Sequence, residues 1–401
     1  MTTTSLTRDV DELLPGIIAD RRWLHAHPEL SLHETETARF VVQRLEALGV
    51  ADITTGWSRT GVSAQIHGTA EGPDAGKVVF LRADIDALPI QEETGAEYAS
   101  ETPGVMHACG HDGHTAMLLA AARLLMERRD QFAGTVKLLF QPCEEHRPGG
   151  ASWTIDEGIL ENPHVDAVFG LHLAQSLPVG TVSAAPGPVM AAGQFFKAKV
   201  QGRGGHGAAP HLAADPVVAA AAMIMQLQTI VSRNVDPLAT GVLTVGLIHG
   251  GTAVNVIPDT VEFGATMRSF SDEGLALIRE RAMTIIESVA TSMGVTVEIE
   301  LSEDLSAVVN DPEMAALVRR TAAGIVGEEH AIAGRPWMAS EDFAYFLKAR
   351  PGCFFWVGCR NEEKGFVWDH HHPKFDFDEE ALGIGASMLT QVALDYLAEA
   401  E

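Results

Sequence analysis

Apolar runs alternate with amphipathic stretches over the first part of the chain. The pattern predicts helices over 9–27, 34–48 and 114–130, and buried strands over 77–86, 134–142 and 165–173. Strands and helices that alternate in this way form a mostly parallel sheet with helices on both faces. We therefore expect an α/β catalytic domain.

A different pattern follows the Pro/Gly/Ala-rich stretch AAPGPVMAAG at 184–193. The predicted order becomes strand, helix, two strands, helix and strand, over 194–202, 215–233, 240–250, 258–270, 272–294 and 295–301. This βαββαβ order is typical of a ferredoxin-like domain. Long helical segments then return, with one short apolar stretch, CFFWVG. We expect a catalytic domain at 1–186 and 303–401, with an inserted lid or dimerisation domain at 187–302.

Composition narrows the class of protein. Acidic residues number 54 and basic residues 28, so the formal net charge is −26. Such a surface would not neutralise nucleic-acid phosphates or approach an anionic membrane. We see no secretory pattern at the N-terminus, and AAAAMIMQLQTIV at 219–231 is too short and polar for a membrane span. These features favour a cytoplasmic protein with four free thiols.

The eight residues HACGHDGH at 107–114 concentrate groups that can bind a metal. Cys109 and His111 offer a thiolate and an imidazole, which suit zinc and other borderline transition metals. Their i, i+2 spacing allows both to reach one centre from a loop. The alternative is a polar loop in which His107 and His114 occupy loop and helix-start positions.

Three further motifs carry candidate groups. Glu144 and Glu145 follow a predicted strand, where one carboxylate could hold an ion while the other takes a proton from water. On its own, a glutamate pair at this position is more often solvated surface. His172 lies in the apolar strand VFGLHL and is either a core histidine or a ligand. The stretch DHHHPKFD at 369–376 can supply one ligand among its three consecutive histidines.

Several motifs occur in the order known from one family of enzymes. They are RRWLHAHPELSLHE, RADIDALP, MHACGHDGHTAMLL, QPCEE, GRGGHGAAPH, GGTAVNVIPD, SEDF and HHHPKFDFDE. The chain resembles the M20 family of metal-dependent amidohydrolases and peptidases. The resemblance is closest to the aminoacylase-like branch with hippurate and auxin-conjugate hydrolases.

This resemblance implies a site with two divalent ions, which could be zinc, manganese, cobalt or nickel. The implied ligands are Cys109, His111, Glu145, His172 and His371, and His370 and His372 remain alternatives to the last of them. Glu144 would be the general base. Five protein ligands exceed the three that a single open catalytic zinc takes, which favours a pair of ions.

The resemblance also implies a homodimer formed through the inserted domain. His206, in the glycine-rich GRGGHGAAP, would reach the partner subunit's site and stabilise the oxyanion of the tetrahedral intermediate. Asn255 and Arg268 would bind the substrate carboxylate. From the residues alone, His206 could instead be a loop residue and Arg268 a charge at a strand end.

The chain departs from the wider family at Asp84-Ile85-Asp86, where many relatives carry H-x-D. We therefore do not count Asp84 as a ligand. Asp86 could orient a ligand or simply form a turn. Cys143 beside the glutamate pair has no evident catalytic role and is expected to be a buried small hydrophobe.

The implied reaction is hydrolysis of an N-acyl amino acid to a carboxylic acid and a free amino acid. A dipeptidase or carboxypeptidase on the same scaffold is the nearest alternative, because the amide chemistry is the same. A non-catalytic metal-binding protein would not need Glu144 beside Glu145. A thiol redox protein using Cys109 and Cys143 lacks a C-x-x-C pair. The acyl group and the amino acid stay open.

Overall fold

The chain forms two compact units in the computed structural model, which describes residues 3–72 and 76–398. The first unit comprises Met1–Val189, Val309–Pro336 and Asp342–Glu401, and the second comprises Met190–Val308 and Trp337–Glu341. The return segment Trp337–Glu341 is a part of the second unit that no sequence pattern indicates.

Ten α-helices occur among the described residues, in this order along the chain. They are α1 (Thr3–Ala26), α2 (Thr35–Ala47), α3 (His111–Met126), α4 (Gly150–Asp156), α5 (Pro216–Leu227), α6 (Thr229–Arg233), α7 (Asp272–Met293), α8 (Pro312–Val326), α9 (Ala344–Ala349) and α10 (Glu380–Ala398).

The described residues also contain sixteen β-strands. They are β1 (Asp52–Trp57), β2 (Gly61–His67), β3 (Val78–Asp84), β4 (Thr135–Gln141), β5 (Ala167–Pro178), β6 (Val182–Ser183), β7 (Gly187–Met190), β8 (Ala192–Gln201), β9 (Gly205–His206), β10 (Gly241–Gly250), β11 (Val256–Ile257), β12 (Thr260–Ser269), β13 (Thr296–Leu301), β14 (Val308–Asn310), β15 (Ala331–Ile332) and β16 (Gly352–Arg360).

An eight-stranded sheet in the order β1-β2-β4-β3-β5-β16-β6-β15 organises the first unit. The central strands β4, β3, β5 and β16 are parallel, whereas β2 and β6 run antiparallel to their central neighbours. The expected α/β fold with a mostly parallel sheet is confirmed. The hairpin of β1 and β2 at one edge was not predicted, because its strands do not belong to the repeating strand-helix pattern.

Side chains on β3 show how both faces of this sheet are covered. All seven residues of the strand are buried. Leu81 joins the main apolar cluster with Leu118 of α3 and Leu389 of α10. Phe80 points the other way and its ring lies 5.2 Å from that of Phe346 on α9. A central strand buried on both sides explains its continuous apolar run.

The strand order places a topological switch beside β3. From β3 the chain crosses through α3 to β4 on one side, whereas β5 lies on the other side. In open α/β sheets, ligands bind at the carboxyl ends of strands where the order reverses. The segments after β3 and β4 and the middle of β5 therefore meet at one edge.

A buried arginine fastens this edge. Arg82 donates to Asp84 Oδ2 (2.6 Å), to Asp342 Oδ1 (2.8 Å) and to Gln141 Oε1 (2.8 Å). The side chains of Arg82, Asp84 and Asp342 are fully buried. Buried charges persist where they are paired and hydrogen-bonded, so this network joins β3, β4 and the chain at Asp342.

The second unit contains a four-stranded antiparallel sheet in the order β10-β12-β8-β13. Its βαββαβ elements are β8, α5, β10, β12, α7 and β13, with the first strand between the third and the fourth. The sequence predicted one helix over 215–233, but α5 ends at Leu227 and α6 begins at Thr229. The Thr229 hydroxyl donates to the Gln226 carbonyl, which competes with regular helix hydrogen bonding.

Two helical segments of the described residues are long and apolar enough to cross a membrane by length and composition, Pro216–Arg233 and Glu380–Ala398. The first of them contains the stretch 219–231, which the sequence alone predicts to be too short and polar for a membrane span. Helices in the core of a soluble protein pass the same test, and α10 is mostly buried within the first unit.

Replacing Arg82 with Met should destabilise the first unit by about 3–5 kcal/mol, because two buried carboxylates lose their arginine. Arg123→Met is the matched control. Arg123 pairs with Glu127 on the surface of α3 and is half exposed, so its loss should change stability by less than about 1 kcal/mol. Calorimetric unfolding of the two variants checks this, and equal midpoints would contradict it.

Candidate metal centre

The motif HACGHDGH lies at the start of α3, directly beside the carboxyl end of β3. Gly110 precedes the first helical residue, His111, and has φ of +87°. Residues with a Cβ avoid this left-handed region, so the turn between Cys109 and His111 favours glycine. The helix begins three residues earlier than expected, which places His111 on α3 and Cys109 in the preceding loop.

His111 is held so that one ring nitrogen remains available. Its Nδ1 donates to the Asp86 carbonyl (2.9 Å) and lies 3.3 Å from Asp86 Oδ1. Its Nε2 is buried and has no hydrogen-bond partner among the residues that the structure describes. Asp86 Oδ2 also accepts from the Ser31 hydroxyl and from Glu145 N. Asp86 therefore orients neighbouring groups, which favours the orienting role over a simple turn.

His172 is fixed in a similar way. Its Nδ1 donates to the Leu173 carbonyl (2.7 Å), and its Nε2 lies 3.5 Å from Cys109 Sγ. Burial and the neighbouring His114 and His370 hold the pKa of His172 well below its usual range. It is thus the neutral imidazole that a metal requires. The strand β5 continues to Pro178, so His172 lies within the strand and not at its end as expected.

Asp84 and His114 support this arrangement from behind. His114 Nδ1 donates to Asp84 Oδ1 (2.6 Å), and His114 Nε2 accepts from Leu173 N (2.9 Å). Asp84, His111 and His114 have potential ligand atoms close together. Because both ring nitrogens of His114 are already engaged, we read this trio as an orienting group.

The two glutamates sit in a constrained loop after β4. Cys143 has φ of +61°, a left-handed conformation that costs a non-glycine residue about 1–2 kcal/mol. Its carbonyl accepts from Gly150 N (2.8 Å), and Asp86 holds Glu145 N (3.0 Å). Ligand atoms of His111, Glu144 and Glu145 then lie within 4.8 Å of one another. The Cys143 side chain is buried, as expected.

The three consecutive histidines take different directions. His371 also has a left-handed backbone (φ +64°); its N donates to the Ala108 carbonyl, and its Nε2 lies 3.2 Å from Glu145 Oε1. The His370 ring packs against the His172 ring at 5.1 Å. The His372 ring stacks on Trp368. Of the three, His371 has a ring nitrogen grouped with the ligand atoms of Cys109 and Glu145.

Two groups of possible ligands share a single thiol. Cys109, His111 and His172 form one group, and Cys109, Glu145 and His371 form the other. Within each group the ligand atoms lie within 4.8 Å of one another. All five expected ligands are thus brought together, with Cys109 common to both groups. The sulfur, nitrogen and oxygen donors, together with a His111 Nε2 that makes no hydrogen bond to any described residue, fit a pair of divalent ions.

The acidic groups of the site raise the pKa values of Cys109 and His111, and the same negative charge favours the binding of cations. Burial and the Glu145 and Glu144 carboxylates raise the pKa of the Cys109 thiol well above its usual range. Burial lowers the pKa of His111, but Asp84 and Asp86 outweigh it and raise that pKa to about 10. In the metal-free protein these two groups therefore hold protons. Binding an ion would displace those protons and offset the carboxylates.

The sequence profile of peptidase family M20/M25/M40 matches residues 80–395. The chain belongs to this family. The expected resemblance is therefore confirmed.

Relatives cover nearly the whole M20-family chain. N-acetyl-L-cysteine deacetylase of Bacillus subtilis is 43% identical over 91% of this chain and 84% of that protein. IAA-amino acid hydrolase ILR1-like 4 of Arabidopsis thaliana is 40% identical over 97% and 87%. Thermostable carboxypeptidase 1 of Saccharolobus solfataricus is 38% identical over 95% and 95%. These names confirm the expected class of amide-hydrolysing enzyme.

A solved structure shows the same fold. It is that of the Bacillus subtilis YXEP protein, described as a dinuclear metal binding peptidase of the M20 family. The TM-score is 0.82 at 34% sequence identity, with 96% of this chain and 99% of that chain covered.

The remaining predicted site residues of this M20-family chain lie in the second unit. His206 is exposed on β9, and its Nδ1 accepts from Ala208 N. The Asn255 carbonyl accepts from Gly207 N (2.9 Å), so the two segments are neighbours. Arg268 is half-buried within β12 and donates to the Met338 carbonyl (2.6 Å). It is therefore not an exposed charge at a strand end.

Sequence reasoning assigned no role to Arg21 and His25, although both lie in the motif RRWLHAHPELSLHE. Arg21 Nε donates to Asp112 Oδ2 (2.7 Å), and His25 Nδ1 lies 2.8 Å from the same oxygen. Asp112 lies in the first turn of α3 and is fully buried. Arg21 and His25 therefore anchor the helix end that carries His111. Their i, i+4 spacing, which places both side chains on one face of α1, was the signal available in the sequence.

His371→Ala should lower the metal content by about one ion per chain, because one group of three donors loses a ligand. His372→Ala is the matched control and should retain the wild-type content. Elemental analysis after dialysis measures both. Loss of metal from the His372 variant with retention in the His371 variant would identify His372 as the ligand.

Proposed function

We propose that this protein hydrolyses the amide bond of N-acyl amino acids, giving a carboxylic acid and a free amino acid. One observation carries the proposal. Glu144 lies beside a cluster of five donors that fits two divalent ions, Cys109, His111, Glu145, His172 and His371. Relatives named for deacetylation of N-acetyl-L-cysteine and for hydrolysis of IAA-amino acids support this substrate class.

The chemistry divides between the ions and Glu144. When bound, the ions supply Lewis-acid polarisation of the carbonyl and lower the pKa of a water molecule. Glu144 belongs to neither of the two groups that share Cys109. It takes a proton from the attacking water and passes it to the leaving nitrogen as the carbon–nitrogen bond breaks. Glu145 is the ligand of the pair.

Second-unit residues would complete the site. Asn255 and Arg268 bind the carboxylate of the amino acid, for which a guanidinium is well shaped. His206 of the partner subunit supports the oxyanion. The open edge of the second-unit sheet supports a homodimer, because Leu247 and Ile248 of the edge strand β10 are exposed. An unpaired edge with apolar side chains favours pairing with another strand.

The thiolate ligand favours a thiophilic ion, so zinc is the first candidate, with manganese, cobalt and nickel as alternatives. A cysteine ligand and three further free cysteines favour a reducing compartment, which supports the cytoplasm.

A carboxypeptidase or dipeptidase is the second candidate. The relative named thermostable carboxypeptidase 1 covers 95% of the chain and favours it. A panel of acetyl, benzoyl, indolyl and fatty N-acyl amino acids beside dipeptides separates the two. The protein is stripped of metal and refilled with each ion in turn. Turnover of dipeptides alone would reject the acyl amino acid assignment.

Glu144→Gln should abolish turnover on every active substrate while the metal content stays at the wild-type level. The amide is similar in size but cannot accept the proton, and a positioned base contributes about 10²–10⁴-fold. Turnover and elemental analysis are measured on the same samples. Retained activity would contradict the assignment of the base.

Mixing two inactive variants tests the proposed contribution of His206 across a dimer. Glu144→Gln and His206→Ala homodimers should each lose activity. In a mixed dimer, the subunit with intact Glu144 receives the intact His206 of its partner. Each mixed dimer that forms by subunit exchange should therefore have about half the activity of a wild-type dimer. No recovery in a verified mixed dimer would place His206 in its own subunit's site.

A further inference from the structure

Glu34 is a buried carboxylate that neither the metal centre nor helix capping accounts for. It occupies the N-cap position of α2, where a Ser, Thr, Asp or Asn side chain commonly accepts from N–H groups of the first turn. Its side chain makes no such bond. Glu29 accepts from Thr37 N instead (2.9 Å). Capping of α2 is thus carried by a different carboxylate.

The Glu34 side chain is directed to the catalytic loop. Its side-chain oxygens accept from Cys143 N (2.9 Å) and from the Thr60 hydroxyl (2.6 Å). Neither partner carries a positive charge. The residue has no exposed surface, and burial raises the pKa of its carboxyl to about 7. Burial of a carboxyl group is unfavourable unless the group is hydrogen-bonded, so the bonds to Cys143 N and the Thr60 hydroxyl offset the burial of Glu34.

The contacted residue is the one whose backbone sets the direction of Glu144. Cys143 has the left-handed conformation and immediately precedes Glu144. Three hydrogen bonds fix this short stretch: Glu34 holds Cys143 N, Gly150 N holds the Cys143 carbonyl, and Asp86 holds Glu145 N. Without the first of them, the buried Cys143 N–H loses its acceptor and the left-handed turn loses support.

We propose that Glu34 is a positioning residue for Glu144, which it keeps aimed into the metal centre by holding the left-handed turn at Cys143. This inference rests on the proposed role of Glu144 as the base. Glu34 does not touch the substrate. It acts through one backbone N–H, 109 residues away in sequence.

Glu34→Ala should lower kcat by about 10- to 100-fold with KM and metal content unchanged, because a misplaced base acts at the reaction step. Glu34→Gln should restore kcat to within about threefold of wild type. Its carbonyl can accept from Cys143 N, and its amide can donate to the Thr60 hydroxyl. Should the alanine variant fail to fold, Glu34→Asp replaces it, since the shorter side chain withdraws the carboxylate from Cys143 N.

Glu29→Ala is the matched control. It removes a carboxylate from the same segment and weakens the capping of α2, but the Glu29 carboxylate accepts its hydrogen bonds from Thr37 and not from Cys143. Its melting temperature should fall while kcat stays at the wild-type value. Equal kcat for the two alanine variants, or loss of metal in parallel with activity, would overturn the positioning role.

A crystallographic readout separates this inference from the proposed function. In Glu34→Ala the Cys143 turn should leave the left-handed region and the Glu144 carboxylate should shift, whereas Glu34→Gln should retain both. An unchanged loop in the alanine variant would overturn the inference even in an active enzyme. Absence of metal-dependent amide hydrolysis by the wild-type protein would overturn the proposed function, whatever the loop does.

Discussion

The structure depends on a concentration of acidic side chains at one edge of the parallel sheet, which Arg82 and the nearby histidines neutralise only in part. The carboxylates of Glu144, Glu145, Asp84 and Asp86 and the thiol of Cys109 lie around histidine ring nitrogens at this edge. In the metal-free protein, protons on His111 and Cys109 relieve part of this charge. Divalent ions would replace those protons. The same groups that would be unfavourable together in an empty core become a ligand set.

Several supporting contacts fix the ring nitrogens of His111 and His172 that face away from the candidate metal centre. The Nδ1 atoms of His111 and His172 donate to backbone carbonyls, which directs both Nε2 atoms inward. His114 ties the helix that carries His111 to the strand that carries His172. Such supporting contacts determine tautomer and orientation, and ligand residues alone would not.

Backbone conformation makes a second contribution. Cys143 and His371 both have left-handed backbones, although neither is glycine, and each flanks or supplies a group of the centre. Such conformations persist where surrounding hydrogen bonds over-determine them. Here those bonds come from Glu34, Gly150 and the Ala108 carbonyl. The buried Arg82 network then joins the strands from which these segments emerge.

The sequence by itself determined the α/β class and the βαββαβ insertion, because hydrophobic period is a local property, and the order of its motifs supplied the candidate ligands through a family resemblance. It gave His371 as the last ligand but kept His370 and His372 as alternatives, missed the β1–β2 hairpin and assigned no role to Glu34 or Arg21. Only the tertiary structure decided where these side chains lie. A left-handed turn selects which histidine faces Glu145, and the partner of Glu34 is remote in sequence. No local pattern specifies a contact between such distant segments, since it arises when the packed sheet brings them to one edge.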